Sequence, residues 1–483
     1  MLQAAARVAS GQVPYADFAW PYGPAHPYLL GWSFDLFGPS MIGWRVLRSL
    51  VDAAVAVTVY VLVRREGGPG WLAAAGWLIA ACAMAQPTSA TPFAPALLLA
   101  LLAVATATSQ RPLPGGVLIP AALTALTAAW RLDFGLYAGG AVVVALLLQA
   151  PTARERVRAI ATYSAAAIGL GLLAYLPFLL AIGPADLYDA LVGASLRERD
   201  YWTLPFPLGY DGGLTLWPPA DLAEDAKDLL GFYAPLIVVA GLALLVTWGA
   251  VRARAERAVP ARAAALAVLG VGCLLYLLSR TDEFHATPLI VVLAATLPAA
   301  LAWRGGRAAL RAALVAVIAL LLAYGSANRL SALLRPPELA AIDLPVADGA
   351  EAPPSEARAL AGMARLVQHE VPPGQSIYAV TRRSDLVRFN QPLIYVAAGR
   401  PNPTRHDYAI QTSAADQLAL TRELADARPR AIVRWNDAIS VVREPNQRGE
   451  PTGSRVLDRW IADRYRLLER FGDYEVLVPR AEG

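Results

Sequence analysis

Lysine is almost missing from this chain. Lys227 is its single example, so nearly all of the 42 basic side chains are arginine. Charge of either sign is scarce, at 17% of residues, where a soluble domain of this size carries about 25%. The formal charge of +4 is small, and its arginines sit in short loops. Topology explains that placement better than nucleic-acid binding does. No glycine-rich loop follows a strand and opens a helix, which removes the usual nucleotide-phosphate cradle. Cysteine is reduced to Cys82 and Cys273, both inside apolar runs. They read as small buried hydrophobes rather than as a disulfide. Without cysteine outside those runs, the sequence does not report a redox compartment.

What the chain has in quantity is apolar sequence, 56% of its 483 residues. A membrane-crossing helix needs about 20 mostly apolar residues. Ten candidates can be read, at 42–63, 71–86, 91–108, 117–130, 134–149, 160–182, 232–251, 263–279, 286–303 and 309–325. Beyond residue 330 the charge density becomes that of an ordinary soluble domain. The expected architecture is a polytopic all-α membrane domain over 1–330, followed by a small α/β domain over 331–483.

Cytoplasmic loops collect Lys and Arg. Alternate loops carry Arg64 and Arg65; Arg111; Arg154, Arg156 and Arg158; Arg252, Arg254, Arg257 and Arg262; and Arg304, Arg307 and Arg311. The loops between them hold 86–89, Arg131 to Asp133, a long acidic segment over 183–231, and Arg280 to His285. The alternation is unbroken across ten spans. It places the second set and the α/β domain outside the cytoplasmic membrane. Residues 1–41 then form an outer N-terminal loop. Yet 1–25 shows neither a signal peptide nor an apolar span, so a first helix upstream of Met1 is expected.

Ionisable residues at membrane depth are costly and mark function by default. Four outer groups qualify. The segment 11–26 is rich in proline, glycine and aromatics and contains Asp17, Tyr22 and His26. Arg45 and Arg48 share one face of the first span and call for a phosphate or a buried carboxylate; snorkelling to the interface is the bland alternative. Arg131 and Asp133 flank a tight turn, where they either neutralise each other or meet substrate. Arg280, Asp282, Glu283 and His285 occupy another helix boundary. Asp282 and His285 could share a divalent metal, but two such ligands are a weak signal, and no cofactor is assigned. Arginine pairs well with phosphate, and a carboxylate can act as base toward a sugar hydroxyl. Together they suit transfer of a lipid-phosphate-linked sugar at headgroup depth, where fixed positive charge stabilises the departing phosphate.

Several of these stretches resemble one family. Gly11-Gln-Val-Pro-Tyr-Ala-Asp-Phe18, Tyr22-Gly-Pro24, Leu36-Phe-Gly-Pro-Ser40 and Arg45 are similar to the start of bacterial GT-C glycosyltransferases. These are the family 39-like membrane enzymes related to protein mannosyltransferases and aminoarabinose transferases. Arg131-Leu-Asp-Phe-Gly-Leu-Tyr137, Arg280-Thr-Asp-Glu-Phe-His285 and Gly399-Arg-Pro-Asn-Pro-Thr404 match further motifs of that group in the same order. The resemblance implies a polyprenyl-phosphate sugar donor, an inverting transfer on the outer face, and a catalytic carboxylate in the first outer loop. The family's acidic motif, typically Asp-Glu, would precede Met1 here; Asp17 matches a downstream family aspartate. On this reading Asp17, Asp282 and His285 are the catalytic candidates. Arg45, Arg48, Arg131, Asp133 and Arg280 would hold the donor phosphate. Tyr22, His26, Arg400 and Asn402 would contact substrate.

In the soluble part, 356–370, 414–427 and 454–464 have helical spacing, and 376–381, 393–398, 431–435 and 474–478 read as strands. The expected partners are a polyprenyl-phosphate-linked sugar, a glycan, lipid or protein acceptor, and the bilayer. Two other classes compete. One is a transporter or flippase of lipid-linked sugars, which should show internal repeats and polar residues near the midplane. The other is a catalytically inactive envelope protein.

Overall fold

The computed structural model describes residues 1–85, 92–109, 116–303, 305, 307–407, 413–451 and 453–480. The loop 86–89, Arg111 and Arg304 therefore lie outside the described residues. The chain divides into two compact units.

The first unit comprises 1–46, 178–202 and 337–483. The soluble domain expected over 331–483 is thus joined by two segments from earlier in the chain. Two N-terminal helices, α1 (Leu2–Ala9) and α2 (Ala25–Phe37), flank a turn-rich stretch. The sequence reading had neither helix, because proline and glycine dominate the residues between them.

The second unit, 47–177 and 203–336, is the helical core. Its helices are α3 (Met41–Arg65), α4 (Gly70–Met84), α5 (Phe93–Ala107), α6 (Leu118–Trp130), α7 (Leu132–Gln149) and α8 (Ala153–Tyr188), then α10 (Pro219–Glu256), α11 (Ala261–Ser279), α12 (Glu283–Ala302) and α13 (Ala308–Leu334). Between α8 and α10 lies α9 (Ala194–Trp202), in the first unit. Among the described residues, seven helices are long and apolar enough to cross a membrane, and α4, α5 and α6 are shorter apolar helices. Each of the ten spans read from the sequence coincides with one of these ten helices. The chain is an integral membrane protein.

α12 is the buried axis of this unit; every residue from Ala286 to Ala300 is buried. Small residues let neighbours approach it, as expected where helices pack in lipid. A methyl at Gly76 of α4 would meet the Ala294 carbonyl of α12 at 2.5 Å. A methyl at Gly272 of α11 would overlap the Tyr137 ring of α7.

The arginine-rich loops gather at one end. Arg262 donates to Thr108 Oγ1 at 2.9 Å and to Glu66 at 2.9 Å. Arg252 lies 3.8 Å from the same Glu66, and Trp303 donates to Glu256 at 3.0 Å. Four of the loops assigned to one side by their arginines are thereby physically connected.

The C-terminal part of the first unit is a three-layer α/β/α sandwich. Its sheet contains β3 (Ile377–Thr381), β4 (Ala431–Trp435), β6 (Tyr474–Pro479) and β5 (Tyr465–Phe471), in that order. A separate two-stranded ribbon pairs β1 (Ala340–Ala341) with β2 (Glu351–Ala352). β3 and β4 are parallel, and the remaining pairs are antiparallel. Alternate strand residues face opposite layers. Ile377, Ala379 and Val433 pack under α14 (Pro354–Glu370) and α15 (Leu393–Ala398). Tyr378, Val380 and Ile432 pack under α16 (Ala414–Ala427) and α17 (Val456–Arg464).

One expectation is corrected here. Residues 393–398 form α15 and not a strand. Its six residues, Leu-Ile-Tyr-Val-Ala-Ala, are an apolar run whose periodicity cannot separate a strand from a buried helix. Pro392 starts the helix, and Gly399, at φ +60°, ends it in the left-handed conformation that glycine adopts without penalty. β5 is a further element absent from the sequence reading; Arg466, Glu469 and Arg470 interrupt its apolar residues and conceal an edge strand.

Candidate functional site

Two helix hairpins of the second unit carry the same local device. α6 and α7 meet at Arg131, which is extended at φ −150° and ψ 117°. α11 and α12 meet at Arg280, extended at φ −161° and ψ 111°. In each case an aspartate two residues on turns back to the arginine. Arg131 donates Nε to Asp133 Oδ1 at 3.0 Å and Nη2 to Oδ2 at 2.6 Å. Arg280 donates Nε to Asp282 Oδ2 at 2.7 Å. Both aspartates also serve their helix: Asp133 accepts the Phe134 N–H, and Asp282 caps α12 by accepting the His285 N–H at 2.8 Å.

Asp282 has one further partner. Its Oδ1 lies 2.7 Å from His285 Nδ1. Burial alone would raise this carboxyl's pKa. The His285 ring, the backbone N–H and Arg280 outweigh burial and hold it below the usual carboxylate range. A proton on Nδ1, donated to Asp282, leaves Nε2 as the basic nitrogen.

The two hairpins are joined through aromatic rings. Tyr276 lies under the Arg131 guanidinium at 4.8 Å and against the His285 ring at 4.7 Å. Phe284 is edge-on to His285 at 5.3 Å and to Phe93 at 5.4 Å. Arg48 lies over Phe93 at 5.1 Å. Arg48 in turn donates Nε to Asp52 at 2.6 Å. Three arginine–aspartate pairs and one imidazole thus form a contiguous cluster. Thr281, between Arg280 and Asp282, donates to the backbone carbonyls of Leu204 and Pro205, which ties the stretch that follows α9 to the same turn.

Of the residues singled out in the sequence, Arg48, Arg131, Asp133, Arg280, Asp282 and His285 are brought together. Asp52, Tyr276, Phe93 and Phe284 were not foreseen. Asp52 had a legible signal, a carboxylate one helical turn beyond Arg48 inside an apolar run. The three aromatics had none, because aromatics in apolar spans are ordinary core.

The other candidates belong to the first unit. Asp17 is exposed and closes a turn by accepting the Val13 N–H at 2.7 Å. Tyr22 packs against Trp20 and accepts the Tyr15 hydroxyl on its carbonyl. His26 is fully buried between Trp20 and Trp44, and that burial pushes its pKa well below 6.5. Arg45 is exposed. Arg400 donates to the carbonyls of Val371, Gly399 and Gln368. Asn402 is buried, donating to Asp407 at 2.9 Å and accepting from the Thr404 N–H. Asp407 also receives buried Arg7 at 3.0 Å, and Arg405 donates to the Tyr15 carbonyl. Arg400 and Asn402 therefore serve the loop's own construction, and this loop holds the N-terminal segment. Among the described residues, no group of three or more His, Cys, Asp or Glu side chains is placed to hold a metal ion.

The apolar helical bundle followed by a small α/β domain is similar in fold to a solved membrane-protein structure. The likeness is to the structure of ArnT from Cupriavidus metallidurans bound to undecaprenyl phosphate, at a TM-score of 0.52 and 13% identity. The match covers 99% of this chain and 92% of that one. At that identity the likeness is one of fold. No family model and no curated protein matches the sequence.

Proposed function

We propose that this protein is a glycosyltransferase of the cytoplasmic membrane. It moves a sugar from a polyprenyl-phosphate donor to an envelope glycan, lipid or protein on the outer face. The observation that carries this reading is the Tyr276-bridged cluster of Arg131 with Asp133 and Arg280 with Asp282 and His285. The ArnT structure that shares the fold holds a lipid phosphate, which supports the donor class.

The chemistry follows from the groups present. Attack of an acceptor hydroxyl at the anomeric carbon expels a phosphate anion. Arg48, Arg131 and Arg280 provide fixed positive charge for it, in a low-dielectric setting where such charge is most effective. Their orientation is set in advance by carboxylates and rings, so little reorganisation accompanies reaction. His285, with Nδ1 held by Asp282, presents Nε2 as the atom that takes the hydroxyl proton.

The test is transfer of label from a polyprenyl-phosphate-linked sugar into bacterial membranes by the purified protein. Wild type should move label. Arg131→Ala and Arg280→Ala should each slow transfer by about 10²-fold, the scale for loss of a donor to a developing anion. Full activity in both variants, or movement of the intact donor across vesicles without sugar transfer, would sink the proposal.

A further inference from the structure

Arg48 and Asp52 lie one turn apart on α3, bonded at 2.6 Å. The arginine side chain is nine-tenths buried. Its Nη2 reaches the Met84 carbonyl at the end of α4 at 3.4 Å, and its cation lies over Phe93. Its Nη1 is buried and has no hydrogen-bond partner among the described residues. A buried guanidinium with one donor unspent is unusual, because leaving such a group unpaired is costly.

We infer that Asp52 is a built-in counter-ion for Arg48 that competes with the lipid phosphate and so sets how tightly the site keeps its polyprenyl-phosphate product. This deepens the transferase reading and rests on it. In the empty site Asp52 neutralises a cation that would otherwise be isolated in a low-dielectric helix bundle. An arriving phosphate finds Nη1 unspent and binds beside, or in place of, the carboxylate. The nearby negative charge raises the energy of the phosphate-bound state. Release of the product is thereby eased, since Arg48 returns to a partner already within bonding distance. A phosphate site built from arginine alone would bind its product more tightly and turn over more slowly.

The test is direct binding of undecaprenyl phosphate to purified protein, alongside steady-state transfer. Asp52→Asn keeps an acceptor for Arg48 Nε and removes the charge. It should tighten undecaprenyl phosphate binding by about tenfold and lower kcat and KM together. Asp52→Glu keeps the charge and should stay within about threefold of wild type in both. Arg48→Ala should weaken binding by about tenfold. A merely structural role for Asp52 would weaken binding, so the sign of the Asn effect is diagnostic. Unchanged or weaker binding by folded Asp52→Asn, or unchanged binding by Arg48→Ala, overturns the inference. Should the amide variant not fold, Asp52→Ser replaces it, with the same tightening expected and the same overturning result. If binding follows this order while wild type transfers no sugar, the counter-ion role stands and the transferase reading falls.

Discussion

Asp282 meets three groups with two oxygens. Oδ2 takes the Arg280 Nε–H, and Oδ1 takes both the His285 backbone N–H and the near ring nitrogen. One side chain therefore starts a helix, fixes a guanidinium and selects a tautomer. Asparagine at this position would separate those tasks. It is as good an N-cap as aspartate, so α12 should still begin at Glu283. Its amide cannot satisfy Arg280 and His285 with negative charge, so the imidazole loses its fixed orientation and tautomer. Asp282→Asn should lower transfer by about 10²–10⁴-fold, the range for a disabled general base, with the thermal midpoint little changed. Comparable losses of activity and stability would assign Asp282 to folding alone. The sign of its pH dependence is fixed as well. The folded pKa lies below the ordinary 3.8, so the stabilisation is present above that value. It is lost only as pH falls through the folded value.

The elements differ in how openly the sequence states them. Ten apolar helices were legible because lipid demands long uninterrupted runs, and the structure has all ten. The Arg-x-Asp turns were legible as charged interruptions, and both proved to be helix joints with the arginine extended. What was hidden depended on tertiary contact. α15 looks like a strand until the glycine after it and the sheet beneath it are known. α1 and α2 are short, and their packing decides them rather than their pattern. Tyr276 joins the two turns from the interior of α11, where nothing local distinguishes it. The N-terminal element carries its own prediction. His26 is neutral when buried between Trp20 and Trp44, whereas the unfolded chain protonates it near pH 6.5. With the folded pKa depressed, stability is intact above about pH 6.5 and drains as pH falls toward the folded value. His406, also depressed by burial, adds to the same slope. Amide protection factors in residues 13–26, corrected for the intrinsic pH dependence of exchange, should therefore fall between pH 7 and 5. His26→Phe should make that fall shallower without abolishing it; an unaltered slope would remove His26 as its source.

At the scale of the molecule, sidedness is the property on which the functional reading turns. Two independent features of the second unit support it. The arginine-rich loops meet through Arg262, Glu66, Arg252 and Glu256 at one end. The loops that alternate with them in sequence meet through Arg131, Tyr276, His285 and Phe93. A span miscounted in the middle of the chain would have mixed the two sets. If arginine marks the cytoplasm, then Arg154 at the start of α8 is inside, and the α/β domain, which follows α13, is outside. The native cysteines leave room for a direct test, since Cys273 is buried and Cys82 is only partly accessible. Arg154→Cys and Arg422→Cys both place a thiol at an exposed site. In intact cells stripped of their outer barrier, a membrane-impermeant maleimide should label Arg422→Cys and spare Arg154→Cys until the membrane is opened. The reverse pattern would put the arginine–aspartate cluster on the cytoplasmic side. A donor presented on the outer leaflet could not then reach it, and the proposed reaction would be excluded whatever the activity of the individual side chains.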